Sequence, residues 1–362
     1  MRRTKASPQL ARSRRAEVAS RALIIGPSEY GPASGIEGHP EIAKSRHWYG
    51  EVLKEDDRWG AERVQVLPES QLGSVDEVMR AIQSAADCTE VGDTLLVIYI
   101  GHGAYWSDLP DPQVHFAVGS SRDDVPYTWL SSWYVYRAMR KSHASLKVLI
   151  ADCCNSNFLG KLGDPQNETL PGALGEIEEG SCVLAAVKNR RDASAEGCKN
   201  PKVKMEDHFR QCTAFSGHLL NLLSEGTSHV DGDLTLGTIR DMLIIDMAKC
   251  DNHDRPRMIL TDARERIPLF SNKKKLSDQT PEQNPDRPEQ WVDIIMQEKN
   301  YKLEHLLADP EKAGEVVALL SKAPDDAGRL VALRVNRHAD MEYQDPSRFA
   351  RYWAKAAQAL EA

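Results

Sequence analysis

Along roughly the first three-quarters of the chain, short apolar runs alternate with stretches whose apolar positions recur at helical spacing. Arg21-Ala22-Leu23-Ile24-Ile25-Gly26 reads as a short buried strand ending at glycine, and residues 27–39, rich in Gly, Pro and Ser, read as a loop. In residues 41–54 the positions Ile42, Trp48, Tyr49, Val52 and Leu53 fit one helix face. Val64-Gln65-Val66-Leu67 is a second strand. Ser74 is placed to cap a helix carrying Val75, Val78, Met79 and Ile82. Two longer runs dominate, residues 94–103 and 146–155. Each begins with aliphatic and β-branched residues, as expected of strands buried on both faces. Strand–helix–strand order of this kind predicts an α/β fold: a mostly parallel central sheet with helices on both faces.

The later pattern extends that layout. Residues 114–118 suggest a strand, 130–141 a helix, 155–175 a long loop, 181–187 a strand and 188–211 a polar loop. Helices are expected over 215–223 and 236–250, and a closing strand over 257–260. Residues 273–289 are charged and proline-bearing with almost no apolar positions, the composition of a linker. Beyond it, residues 290–362 carry only helical periodicity, predicting a C-terminal bundle of three to five helices. That bundle reads either as a separate module that binds a regulator or partner, or as helices packed on the preceding domain. The chain therefore divides into a tail (1–20), an α/β domain (21–272), a linker (273–289) and a helical module (290–362).

Composition narrows the function classes. The formal net charge of −8 over 362 residues argues against a surface built for nucleic acid. No run of eighteen apolar residues exists, so no membrane span is expected. The tail carries Arg2, Arg3, Lys5, Arg12, Arg14 and Arg15 against Glu17 and lacks the apolar core of a secretory signal. The seven cysteines include an adjacent pair and no CxxC, which fits a reducing, cytoplasmic setting with thiols used singly. Cys198, His208 and Cys212 form a weak metal constellation without a fourth ligand, so no metal site is expected.

The two dominant strands each end on a reactive side chain. Thr94 to Ile100 leads into Gly101-His102-Gly103, and Leu146 to Ala151 leads into Asp152-Cys153-Cys154-Asn155. Ligands of open parallel sheets bind beyond the carboxyl ends of the strands, so an imidazole and a thiol share that rim. Alternation along the strand turns Cys154 and Asp152 to one side and Cys153 to the other. A thiol is only a few per cent ionised near neutrality, and an imidazole can take its proton. His102 is thus a candidate base and Cys154 a candidate nucleophile. The backbone N–H groups of Gly103 and Cys154 are candidate oxyanion donors. Asp152 is a candidate carboxylate for a basic substrate side chain, or else a strand-end cap. No GxGxxG or P-loop follows any strand, which disfavours a nucleotide binder.

These residues resemble the caspase/metacaspase superfamily, in particular its bacterial members. Caspases place the histidine roughly 50 residues before the cysteine, and His102 and Cys154 are 52 apart. Tyr99-Ile100-Gly101-His102-Gly103 resembles the family's histidine motif. Asp152-Cys153-Cys154-Asn155-Ser156 resembles its Asp-x-Cys-x-Ser motif, with Asn157 where metacaspases usually carry glycine. Residues 21–26 resemble the opening strand, Asp192-Ala193-Ser194-Ala195-Glu196 the substrate loop, and Thr213-Ala214-Phe215-Ser216-Gly217 the start of a later helix. The resemblance implies a caspase-like three-layer sandwich over roughly residues 21–272. It also implies a latent, self-processing cysteine endopeptidase with a Cys–His dyad, acting on protein or peptide substrates in bacterial defence or regulated-death signalling. Asp192, Ala193 and Ser194 would join Asp152 in binding substrate. The metacaspase pocket for Arg or Lys uses a second acid, and Ser45 stands at its position. Asp123-Asp124 resembles the calcium sites of some metacaspases, but calcium takes six or more oxygens and no further cluster is evident, so no cofactor is expected. The alternative is a catalytically silent homologue that acts as a scaffold through its helical module.

Overall fold

A computed structural model describes residues 20–106, 109, 112–160, 181–186, 196–201, 203–227, 230, 232–247, 250, 256–259 and 267–274. The tail, the linker beyond Lys274 and the helical module at 290–362 lie outside the described residues.

Six strands form the central sheet: β1 (Arg21–Ile25), β2 (Val64–Val66), β3 (Thr94–Gly101), β7 (Leu146–Cys153), β8 (Ser181–Ala185) and β10 (Arg257–Ile259). Their spatial order is β10-β8-β7-β3-β1-β2. The five strands from β8 to β2 run parallel, and β10 pairs antiparallel at the β8 edge. The mostly parallel sheet read from the apolar runs is therefore the observed one.

Strand alternation separates two cores. On one face Leu96, Ile98 and Ile100 of β3 and Leu146, Val148 and Ile150 of β7 pack against helices α1 (Pro40–Lys54), α4 (Ala214–Glu225) and α5 (Leu236–Met247). On the other, Leu95, Val97 and Tyr99 join Leu149, Ala151 and Cys153 against α2 (Val75–Asp87) and α3 (Ser132–Lys141). The result is a three-layer α/β sandwich. Ser74 caps α2 as expected, its side chain accepting a hydrogen bond from the Glu77 N–H.

Three expectations change in detail. The helix read over 130–141 starts at Ser132, because Leu130–Ser131 is spent on a short strand, β6. The strand read at 114–118 is β5 (Val114–Phe116). It does not enter the central sheet but joins β6 and β4 (Gly103–Tyr105) in a small antiparallel sheet over the carboxyl end of β3. The polar loop at 188–211 buries Cys198, Val203, Met205 and Phe209 in the α1/α4/α5 core wherever it is described. A two-stranded sheet of β9 (Leu234–Thr235) and β11 (Pro268–Phe270) completes the described structure. No helix among the described residues is long and apolar enough to cross a membrane.

Candidate active site

β3 and β7 pair with one constant offset, from Thr94↔Leu146 to Gly101↔Cys153. That offset is 52, the spacing of His102 and Cys154, so both residues leave the sheet one step beyond the last pair and at the same level. Both line a cavity of about 590 Å³ together with Gly103, Asp152, Asn155 and Thr213. Cys153 turns the other way. It is fully buried, and burial drives its thiol well above the ordinary range, with Cys154 and Asp152 adding to the effect. Cys154 is half-buried and outside any disulfide. The adjacent thiols thus occupy different environments, as alternation requires.

Two glycines let the chain turn at His102. Gly101 has φ +156°, and a side chain there would put Cβ 2.8 Å from the Tyr99 hydroxyl. That hydroxyl lies 2.8 Å from the His102 carbonyl and 2.9 Å from the Ala117 carbonyl, sharing its proton between them. At Gly103 a Cβ would lie 2.3 Å from the Cys154 carbonyl oxygen and 2.9 Å from the Cys153 Sγ. Only glycine allows this approach. The Ala117 N–H donates to the His102 carbonyl, which makes 102 and 117 a hydrogen-bonded pair. The next pair, Gly103 and Phe116, is then of the non-hydrogen-bonded kind. The N–H and C=O of Gly103 consequently face away from β5. Its carbonyl accepts from the Asn155 side-chain amide at 3.1 Å, and Asn155, two residues past β7, sits in the left-handed region with φ 59°.

The imidazole is oriented by a group that sequence reading missed. His102 Nε2 lies 2.8 Å from the Glu37 carbonyl oxygen, which can only accept. Nε2 therefore carries the proton, and in the neutral ring Nδ1 is the basic nitrogen. The rings of Tyr30 and His39 pack at 5.5 and 5.2 Å from it. Burial pushes the His102 pKa down, and the positive form of His39 would push it further. The Glu37 carbonyl and Asp123 oppose the shift without reversing it. A backbone carbonyl leaves no signature in sequence, which is why no group orienting His102 could be read there.

Asp152 is buried at the cavity wall. Its Oδ2 accepts from Thr213 Oγ1 at 2.5 Å, Ser216 Oγ at 2.5 Å and the Ser216 N–H at 3.2 Å. Desolvation raises its pKa, and these hydrogen bonds only partly offset the rise. Ser45 is buried behind them: its Oγ donates to the Glu41 carbonyl at 2.8 Å and accepts from the Thr213 N–H at 3.0 Å. The position expected to hold a second acid thus reaches Asp152 through Thr213. Of the tandem acids, Asp123 lines the cavity while Asp124 is exposed and pairs with Arg122 at 3.6 Å. Asp192, Ala193 and Ser194 lie outside the described residues. The weak constellation of Cys198, His208 and Cys212 does not assemble. His208 packs against the rings of Trp48 and Phe209, and Cys212 lies beside Ser45 and Asp152, where burial pushes its thiol up to about 12.

No family model matches the chain, and no curated protein matches it. Among solved structures, a Geobacter sulfurreducens protein is similar at 14% identity and a TM-score of 0.47, over 71% of this chain and 98% of that one. Caspase-1 from Spodoptera frugiperda is similar at 12% identity and a TM-score of 0.43, over 72% of this chain and 92% of that one. Likeness at this level does not establish a common activity.

Proposed function

We propose that the chain is a caspase-like cysteine endopeptidase in which His102 and Cys154 form the dyad and Asp152 favours Arg or Lys before the scissile bond. The observation that supports this reading is the register of β3 and β7, by which His102 and Cys154 both follow the last strand pair at one level and line one cavity that Asp152 also lines. His102 Nδ1 takes the Cys154 thiol proton, and the sulfur attacks the substrate carbonyl carbon. The N–H groups of Gly103 and Cys154 stabilise the oxyanion. His102 then returns the proton to the leaving amine as the C–N bond breaks, leaving a thioester. Water, deprotonated by His102, hydrolyses the thioester, and the proton goes back to the Cys154 sulfur.

Desolvation of Asp152 underlies the specificity. A carboxylate whose charge is disfavoured by burial gains most from an incoming cation, and a substrate guanidinium or ammonium supplies one. All three described hydrogen bonds fall on Oδ2, leaving Oδ1 for that contact. By the family resemblance Asp192, Ala193 and Ser194 are assigned to substrate binding, the enzyme is latent until activated in a bacterial defence or death pathway, and the module at 290–362 recruits a partner or regulator. Cleavage of fluorogenic peptides ending in arginine tests the reading. His102→Ala and Cys154→Ala should each abolish turnover, whereas Cys153→Ala should retain most of it. Turnover that survives Cys154→Ala would refute the assignment, whereas a wild-type chain with no turnover at all would favour the scaffold alternative.

A further inference from the structure

Away from the cavity, on the α1/α4/α5 side, three ligand-type side chains converge. Cys198 comes from the segment after β8, His218 from α4, and Cys250 from just past the end of α5. All three are buried, and their ligand atoms lie within 4.8 Å of one another. The Cys198 and Cys250 sulfurs are 2.9 Å apart, and His218 Nε2 is 3.2 Å from the Cys250 sulfur. The other ring nitrogen, Nδ1, lies 2.7 Å from the Asp246 carboxylate, which can only accept when ionised. Asp246 therefore fixes a proton on Nδ1 and aims Nε2 at the two sulfurs.

We infer that Cys198, His218 and Cys250 bind a zinc ion. Two thiolates and one imidazole suit this borderline-soft cation, and the two negative charges neutralise it in a buried setting. A carboxylate on the distal nitrogen of a ligating histidine is the usual outer-shell partner, and it is a second observation pointing to a metal. With Zn–S of about 2.3 Å and Zn–N of about 2.0 Å, tetrahedral ligand atoms sit roughly 3.5–3.8 Å apart. The observed 2.9 and 3.2 Å must therefore widen by less than about 1 Å. Water takes the fourth corner. On binding, each thiol releases its proton to solvent and His218 coordinates as the neutral ring, so affinity falls in acid. Sequence spacing hid the site, since its members are 20 and 32 residues apart.

A bound ion would tie the segment at 196–201 to the body of α4 and to the chain just past α5, independently of the peptidase dyad. The test uses the full chain, purified from zinc-supplemented cells and analysed for metal by mass spectrometry. One zinc per chain is expected in wild type and in Cys154→Ser, and well under half of that in Cys198→Ser and in Cys250→Ser. Because those variants could misfold, cobalt is also added to the metal-free wild-type chain. Thiolate-to-cobalt charge-transfer absorption and a rise in melting temperature are expected. Absence of both zinc and the cobalt spectrum overturns the proposal. So does zinc retained in a Cys198→Ser/Cys250→Ser double variant, or an intact-mass loss of two hydrogens showing that the pair is a disulfide instead.

Discussion

Replacing Gly103 with alanine probes the geometry on which the dyad depends. The new Cβ would stand 2.3 Å from the Cys154 carbonyl oxygen, 2.9 Å from the Cys153 Sγ and 3.2 Å from the Cys153 Cβ. Two of these neighbours belong to side chains, but the closest is backbone and cannot rotate away. Reaching ordinary contact distances of about 3.5 Å takes a shift of about 1 Å between β4 and the end of β7. Overpacking of this kind costs about 1–3 kcal/mol of stability. The shift also separates His102 from Cys154, since each adjoins a displaced residue. Misplacement by about 1 Å costs on the order of 100-fold in rate. The expected outcome is therefore a loss of about 100-fold in kcat/KM on an arginine peptide, with denaturant unfolding showing about 1–3 kcal/mol of destabilisation. Gly31→Ala is the control, because nothing lies within 4 Å of its added Cβ; its stability should stay within about 0.5 kcal/mol of wild type. Wild-type turnover and stability in Gly103→Ala would show that the two strand ends do not approach as described.

Two further outcomes follow from the ionisable groups. Neutral His102 is the competent base, and its pKa lies below the ordinary 6.5, so the acid limb of kcat/KM should fall below that value; a limb above 6.5 in the pH–rate profile would contradict the burial argument. Asp152→Asn keeps an acceptor for Thr213 and Ser216 but removes a charge that burial disfavours. Because the folded pKa of Asp152 is raised, its contribution to stability is lost as pH rises through that pKa. The asparagine variant should therefore be at least as stable as wild type at neutral pH, while losing about 10- to 100-fold of its preference for Arg and Lys, the worth of one charge-assisted hydrogen bond. An unchanged peptide-library profile would remove Asp152 from substrate selection.

The central strands were legible because burial on both faces produces runs that few other elements share, and the same runs carried His102 and Cys154 to their ends. The spacing of 52 acquired its meaning only from the register, which no local pattern encodes. β4 and β6 are three and two residues long, too short for alternation to mark, so of the small sheet over the site only the strand β5 was legible, and not its pairing. The segment around Cys198 read as polar loop because its buried residues are isolated among Lys, Asn and Glu, and tertiary packing alone brings them inside. Thr213 and Ser216 were recognisable only as part of a motif. Their role as donors to Asp152 depends on the start of α4 meeting the end of β7.

The most direct measurement of the central claim is site-resolved labelling by a peptide probe that ends in arginine and carries a thiol-reactive group. One adduct is expected, on Cys154, abolished in Cys154→Ala and strongly slowed in His102→Ala. Cys153 should remain unlabelled, because it is fully buried and its thiol is pushed well above the ordinary range. An adduct on Cys153, or labelling undiminished by Cys154→Ala, would contradict the dyad.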